Sequence, residues 1–260
     1  MQNRRLRVDR ERGIALVGVL CIVSLLTVLA VGALEATRRY GQLAHRSFEA
    51  AQASELADSA IRLAILELTA PAPQTAAAAP PTTVNVQVFG QPIAVQLERE
   101  AQRVDLNAAD EGVLAAALNG KGMDEADARV LAARIVDWRD TDDAASVHGA
   151  ERTEYRRANR SSGPRNGAFE NVSELRQVLG AEALTDEVLD AFTVYSHARE
   201  TQSQWFPESG ALAGEVGRLR ACAAIERTNV CRVAIVRFTG NRAQPILVYS
   251  WYSRFSVSRS

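Results

Sequence analysis

From Ile14 to Leu34 the sequence runs for 21 residues without a charged side chain. Wound as an α-helix, that stretch is about 30 Å long, the depth of one bilayer core. A run this long and apolar belongs in lipid, outside whatever globular fold the rest of the chain builds. Residues 1–13 place Arg4, Arg5, Arg7, Arg10 and Arg12 against Asp9 and Glu11. A basic flank holds its end of the span in the cytoplasm and sends the downstream chain to the periplasm or exterior. A secretory signal peptide and a plain single-pass anchor both share this charge pattern, although the apolar core of a signal peptide is usually shorter. Residues 35–69 continue a helical pattern with no Pro and with Gly41 as the one weak point. Apolar side chains recur near the 3.6-residue period at Ala50, Ala53, Ala57, Ala60, Ile61, Ala64, Ile65 and Leu68, with Glu49, Glu55, Asp58 and Arg62 off that stripe. The spacing predicts one rod of roughly 55 residues and about 80 Å, apolar in its first half and two-faced in its second.

The remainder is large enough to bury its own core, since the chain has 260 residues of which 47% are apolar. Residues 70–83 are rich in Pro, Ala and Thr and read as a linker. Val84–Val88 and Ile93–Leu97 alternate apolar and polar residues around Gly90-Gln91-Pro92, the pattern of a β-hairpin. Helices are expected over about 108–118, capped by Asn107 with Asp110 and Glu111 in the first turn, and over about 124–138, with Val130, Leu131, Ile135 and Trp138 on one face. Two shorter helices are expected beyond these, after Asn171 or Ser173 up to Gly180 and over about 185–192. Strand patterns return at Phe192–Ser196, Arg220–Glu226, Arg232–Phe238 and Ile246–Tyr252. Strands at both ends of the head predict an α+β fold in which an α-helical block at 104–192 interrupts one sheet that residues 193–260 complete.

Two sets of residues carry a resemblance. At the start, a short basic stretch ends in Gly13 and is followed by Ile14-Ala15-Leu16-Val17, which is similar to a pilin-type leader. In the head, the set is Val104-Asp105-Leu106-Asn107-Ala108-Ala109, Ile135 through Asp142, Gly149-Ala150-Glu151, Tyr155, Asn166, Phe169 to Gly180 and Thr193-Val194-Tyr195-Ser196. Together they resemble the K class of type II secretion minor pseudopilins, over almost the whole chain. The resemblance implies cleavage between Gly13 and Ile14 by a prepilin peptidase, with methylation of the new terminus. It also implies a long N-terminal helix packed on an antiparallel sheet with a helical insertion, an inner-membrane anchor, and a periplasmic head. Partners of the I and J classes would be held through the amphipathic half of the rod, at Ala50, Ala53, Ala57, Ile61 and Ile65. Most pilin-like subunits carry Glu at the fifth mature residue; here that position is Gly18. A charge in hydrocarbon costs several kcal/mol unless paired, and a subunit with nothing ahead of it has no amine to pair with. Gly18 therefore fits the tip of the fibre, a place that the K class is thought to take.

Asp137, Asp140, Asp142, Asp143, Glu151 and Glu154 fall within 18 positions. Hard oxygen ligands suit Ca2+, and Asp140, Asp142, Asp143 and Glu151 are its candidate ligands. Asp140, Asp142 and Glu151 match positions 1, 3 and 12 of an EF-hand loop, but Ala144 and Ala145 stand where a ligand and the Gly belong, so the loop is an irregular one. A solvated acidic loop paired with Arg139, Arg152, Arg156 and Arg157 is the competing reading. K-class heads are similar in holding calcium. Cys222 and Cys231 suit one disulfide in an oxidising compartment or two buried thiols, and a turn at Thr228-Asn229 would set them out of register; Cys21 lies in the apolar run.

His45, His148 and His197 are scattered and make no metal-ligand spacing. No nucleophile elbow, P-loop or dinucleotide fingerprint occurs, so the chain reads as an assembly subunit and not an enzyme. The helical block also resembles helix-hairpin-helix modules of membrane-tethered competence proteins, through Gly120-Lys121-Gly122-Met123 and Val178-Leu179-Gly180. Residues 101–199, however, hold 18 acidic and 12 basic side chains, a net of −6 that opposes a phosphate backbone, and the expected partners include no nucleic acid.

Overall fold

The computed structural model describes residues 5–70, 82–201, 212–226 and 228–254, with side chains left out at 5–16 and 254. The expected linker thus falls almost wholly outside the described residues. The first element, α1 (Arg5–Thr69), is a single helix of 65 residues. Its apolar stretch shows Val17, Leu25, Leu29 and Leu34 to the outside, each more than half exposed. Within that stretch the hydroxyls of Ser24 and Thr27 donate to the carbonyls of Leu20 and Val23 at 2.8 and 2.7 Å. Both polar groups are therefore satisfied inside the helix, as hydrocarbon surroundings demand.

Further along, α1 turns a face of small residues inward. Ala53, Ala57, Ala60, Ile61 and Ala64 have no exposed surface and Ile65 almost none. They lie on a five-stranded sheet built from β1 (Thr83–Val88), β2 (Gln91–Arg99), β5 (Val216–Ile225), β6 (Thr228–Phe238) and β7 (Ile246–Arg254) in the order β1-β2-β5-β6-β7, every pair antiparallel. Val84, Val86 and Val88 of β1, Val95 and Leu97 of β2, Leu219 and Ala221 of β5, and Ala234 and Val236 of β6 complete that core. Alternation along each strand points one side chain in two at the helix, and alanines on the helix let the backbones approach closely. Asp58, on the rim of this face, accepts from Arg232 at 2.7 Å and from the Trp251 indole at 2.6 Å, while Arg62 lies over the Trp251 ring.

The stripe expected to bind partners is thus taken up by the chain's own head: Ala53, Ala57, Ile61 and Ile65 are core residues and Ala50 is half-buried. A residue with no exposed surface has none to offer a second subunit, and this corrects the expectation.

Between β2 and β5 the chain makes a second core. A short parallel pair, β3 (Val104–Asp105) and β4 (Phe192–Thr193), closes its base. The block contains α2 (Glu111–Gly120), α3 (Glu125–Arg139), α4 (Arg152–Arg157), a 3-10 turn at Val172–Gln177 and α5 (Asp186–Leu189). Thr193 therefore pairs inside the block, and among the described residues the large sheet resumes at Val216, later than the boundary expected at 193. Asn107 does not cap a helix. Its amide donates to the Phe169 carbonyl at 2.9 Å and accepts from the Phe169 amide at 2.7 Å, standing in for a strand partner. Asp110 is the cap of α2 and receives Val113 N–H. The stretch after Asn171 tightens to a 3-10 turn, with Glu174 accepting from the Asn171 amide.

The β1–β2 hairpin turns in two residues. Val88 pairs with Gln91, so the first turn is Phe89-Gly90, with φ of 48° and 79°, and not Gly90-Gln91-Pro92. Ile225 pairs with Thr228, which places the second turn earlier in the chain than Thr228-Asn229 and sets Cys222 directly opposite Cys231, joined in a disulfide.

Ala57→Leu adds three carbons where the rod meets the sheet. It is expected to lower unfolding stability by about 1–3 kcal/mol, while Ala51→Leu, on the exposed face, leaves it unchanged; urea midpoints of the detergent-solubilised protein measure both.

Candidate metal centre

Three elements bring the acidic residues together. Asp137 closes the last turn of α3 and is fully buried, Asp140 ends that helix, and Glu151 precedes α4. The loop between folds back because Gly149 leaves room: a Cβ there would stand 1.9 Å from Asp137 Oδ2. Asp137 Oδ2 accepts from the Ser146 amide at 3.1 Å. From the far side of the loop comes Asn166, in the left-handed region at φ 51°, whose amide donates to the Asp142 carbonyl and to Asp143 Oδ1, both at 3.0 Å. Beneath lies an aromatic stack in which Trp138 meets Phe169 at 5.9 Å and Tyr155 at 6.2 Å. Burial pushes the Tyr155 hydroxyl up to about 12, and its oxygen accepts from the Leu179 amide at 3.1 Å.

Five oxygens in this corner, Asp137 Oδ1, Asp140 Oδ1, both of Glu151 and Asn166 Oδ1, are buried without a hydrogen-bond donor. Buried acceptors are normally satisfied, so a set of orphans asks for a partner. All five are hard oxygen donors of the kinds that fit calcium. The electrostatics agree in direction. Burial, then Asp137, Asp140 and Asp143, push the Glu151 carboxyl up to about 7. Burial, then Asp142 and Asp137, raise that of Asp140. These carboxylates do not crowd to bonding distance of one point; among the described residues the group whose ligand atoms all lie within 4.8 Å of one another is His45, Glu49 and Glu226.

Of the four candidate ligands, Asp140 and Glu151 point orphan oxygens into the corner. Asp142 and Asp143 are exposed at its rim, where Asp142 Oδ1 takes the Ala144 amide. Asp137 and Asn166 are the additions. Both fall within the residues that carry the resemblance, but as a ligand Asp137 is only one more acidic residue of the cluster, and Asn166 lies 23 positions beyond Asp143. The remaining site positions lie elsewhere. Gly13 and Ile14 fall within α1, their side chains outside the described residues. At Gly18 a Cβ would meet nothing within 4 Å. Gly120-Lys121-Gly122 does link α2 to α3, but Lys121 lines one hollow with Glu187 and Asp190.

Residues 91–195 match the family model described as "Type II secretion system (T2SS), protein K". That segment runs from β2 through the whole helical block to Tyr195. Among solved structures, a chain in the crystal structure of the GspK-GspI-GspJ complex from the enterotoxigenic Escherichia coli type 2 secretion system is similar at 15% identity, with a TM-score of 0.47, covering 85% of this chain and 99% of that one. No curated protein matches the sequence.

In a calcium chelator, the folded state binds the Glu151 proton more tightly than the unfolded state does. That contribution to stability is full below about 4.5 and is lost as pH rises through about 7. Urea midpoints across this window are expected to fall for the wild type and to stay flatter in Glu151→Gln; equal slopes would show that Glu151 is not crowded by its neighbours.

Proposed function

We propose, with the similarity of residues 91–195 to the type II secretion protein K model in support, that this chain is a minor pseudopilin that starts or caps the pseudopilus during protein export across the outer membrane. In this reading α1 enters the inner membrane, a prepilin peptidase cuts between Gly13 and Ile14, and the head stands in the periplasm. The observation that carries it is α1 itself. One unbroken helix exposes an apolar stretch long enough to cross a bilayer and, further along, buries the face from Ala53 to Ile65 on the head. An anchor whose only task is tethering gains nothing from rigid continuity with the head, whereas a fibre subunit needs it to pass axial order from its neighbours to its head.

The tip assignment rests on Gly18. The open space around it means that a Glu would fit without touching the rest of this chain. Its effect would come from lipid and neighbouring subunits. Partners of the I and J classes then meet the side of the rod that the sheet leaves free, where Tyr40, Leu43, Phe48 and Leu66 are exposed. Calcium in the acidic corner supplies positive charge to carboxylates that otherwise repel, and so fixes the loop between α3 and α4. Asp137, Asp140, Glu151 and Asn166 would hold it.

In cells with an active prepilin peptidase, the mature N-terminus is expected at Ile14 by mass spectrometry; a start near Ala33 would mean a cleaved signal peptide, and intact Met1 a plain anchor. In the same cells Gly18→Glu is expected to impair secretion, and normal secretion with unchanged fibres would remove Gly18 from the tip assignment.

A further inference from the structure

At the lower end of the head, where the sheet begins on the rod, one imidazole stands among two carboxylates. His45 and Glu49 are four residues apart on α1, hence on one helix face, and His45 Nε2 lies 3.0 Å from Glu49 Oε1. Glu226 reaches the same nitrogen from the turn between β5 and β6, at 3.7 Å. One ligand atom from each of the three lies within 4.8 Å of the others. In a tetrahedral zinc site with bonds of about 2.0–2.2 Å, neighbouring ligand atoms stand about 3.3–3.6 Å apart, so the observed separations bracket that spacing. Glu49 is itself buried, and its second oxygen accepts from Thr228 Oγ1 at 2.6 Å. This bond fixes the carboxylate and, as the largest influence, lowers its pKa. Supporting hydrogen bonds of this sort orient metal ligands. Among the described residues, neither Glu49 nor Glu226 has an ion pair with an Arg or Lys, only with His45.

We propose that His45, Glu49 and Glu226 form a site for a zinc-class divalent cation that clips α1 to the β5–β6 turn. The nitrogen ligand sets it apart from the all-oxygen corner in the inserted block, since imidazole favours zinc and its transition-metal neighbours over calcium or magnesium. Three protein ligands leave one position for water. Because His45 and Glu226 belong to different elements, the ion would resist the rod lifting from the sheet at its lipid-facing end.

The full chain in detergent, stripped of metal and held in excess calcium to fill hard-oxygen sites, is titrated with zinc chloride by calorimetry. One high-affinity equivalent is expected for the wild type, with zinc raising its melting temperature. His45→Ala and Glu226→Gln are each expected to weaken that equivalent at least tenfold, corresponding to about 1.4 kcal/mol, and to abolish the zinc-dependent shift. Both replace exposed side chains, so their melting temperatures without zinc report whether they fold. Absence of zinc uptake by the wild type, or uptake undiminished in both variants, would overturn the site and leave the three residues as an ion-paired clasp.

Discussion

The contact on which the molecule depends is the meeting of alanines with a sheet. Ala53, Ala57, Ala60 and Ala64 recur every three or four residues and are fully buried against β1, β2, β5 and β6. Small side chains bring the helix axis close, and the strand valines and leucines then fill the space from the other side. Because α1 has no break between this face and its lipid-facing half, the packing that folds the head also fixes the direction in which the membrane segment leaves it. The exposed apolar surface of residues 17–34 is not a folding defect but the other half of the same helix.

The helical block is attached by buried charge. Glu100 has no exposed surface and pairs with Arg218 of β5 at 2.5 Å, while Arg99 binds Glu215 at 2.7 Å. Arg103 reaches the Asp190 carbonyl at 2.9 Å, and Arg218 also approaches the Asp190 carboxylate at 3.8 Å. Such pairs cost heavily in desolvation, and what they add is orientation. Asp105 works in the same way at the base of the block, accepting from the amides of Asn107 and His197 and from Ser196 Oγ. A helical domain inserted into a sheet is thereby held by directional bonds at its neck, while its own apolar core stays separate from that under α1.

How much of the fold is legible in the sequence depends on the range of each interaction. The apolar run, the alanine period and the strand alternations are local patterns, and the helix and sheet form where those patterns lie. The period alone misleads about its outcome: a small-residue stripe marks close packing but not the partner, and here the partner is the chain's own sheet. Asn107 looks like a helix cap because capping is a local rule, whereas its true partner, Phe169, is 62 residues away. The acidic corner is visible as a density of carboxylates, yet which oxygens turn inward depends on Gly149 and on Asn166. His45 offers no spacing to another histidine. Its neighbours are a glutamate one turn along the helix and another brought in by a distant hairpin, a grouping that only the three-dimensional chain supplies.

The continuity of α1 is most directly tested by a distance measured along it. With Cys21 replaced by Ser and the disulfide intact, spin labels at Leu29 and Leu63, both exposed, bracket the passage from lipid to head in reconstituted bilayers. An unbroken helix predicts a single narrow distribution near about 50 Å, at 1.5 Å per residue. A broad distribution, or one centred well short of that distance, would show two independently placed segments and contradict the account.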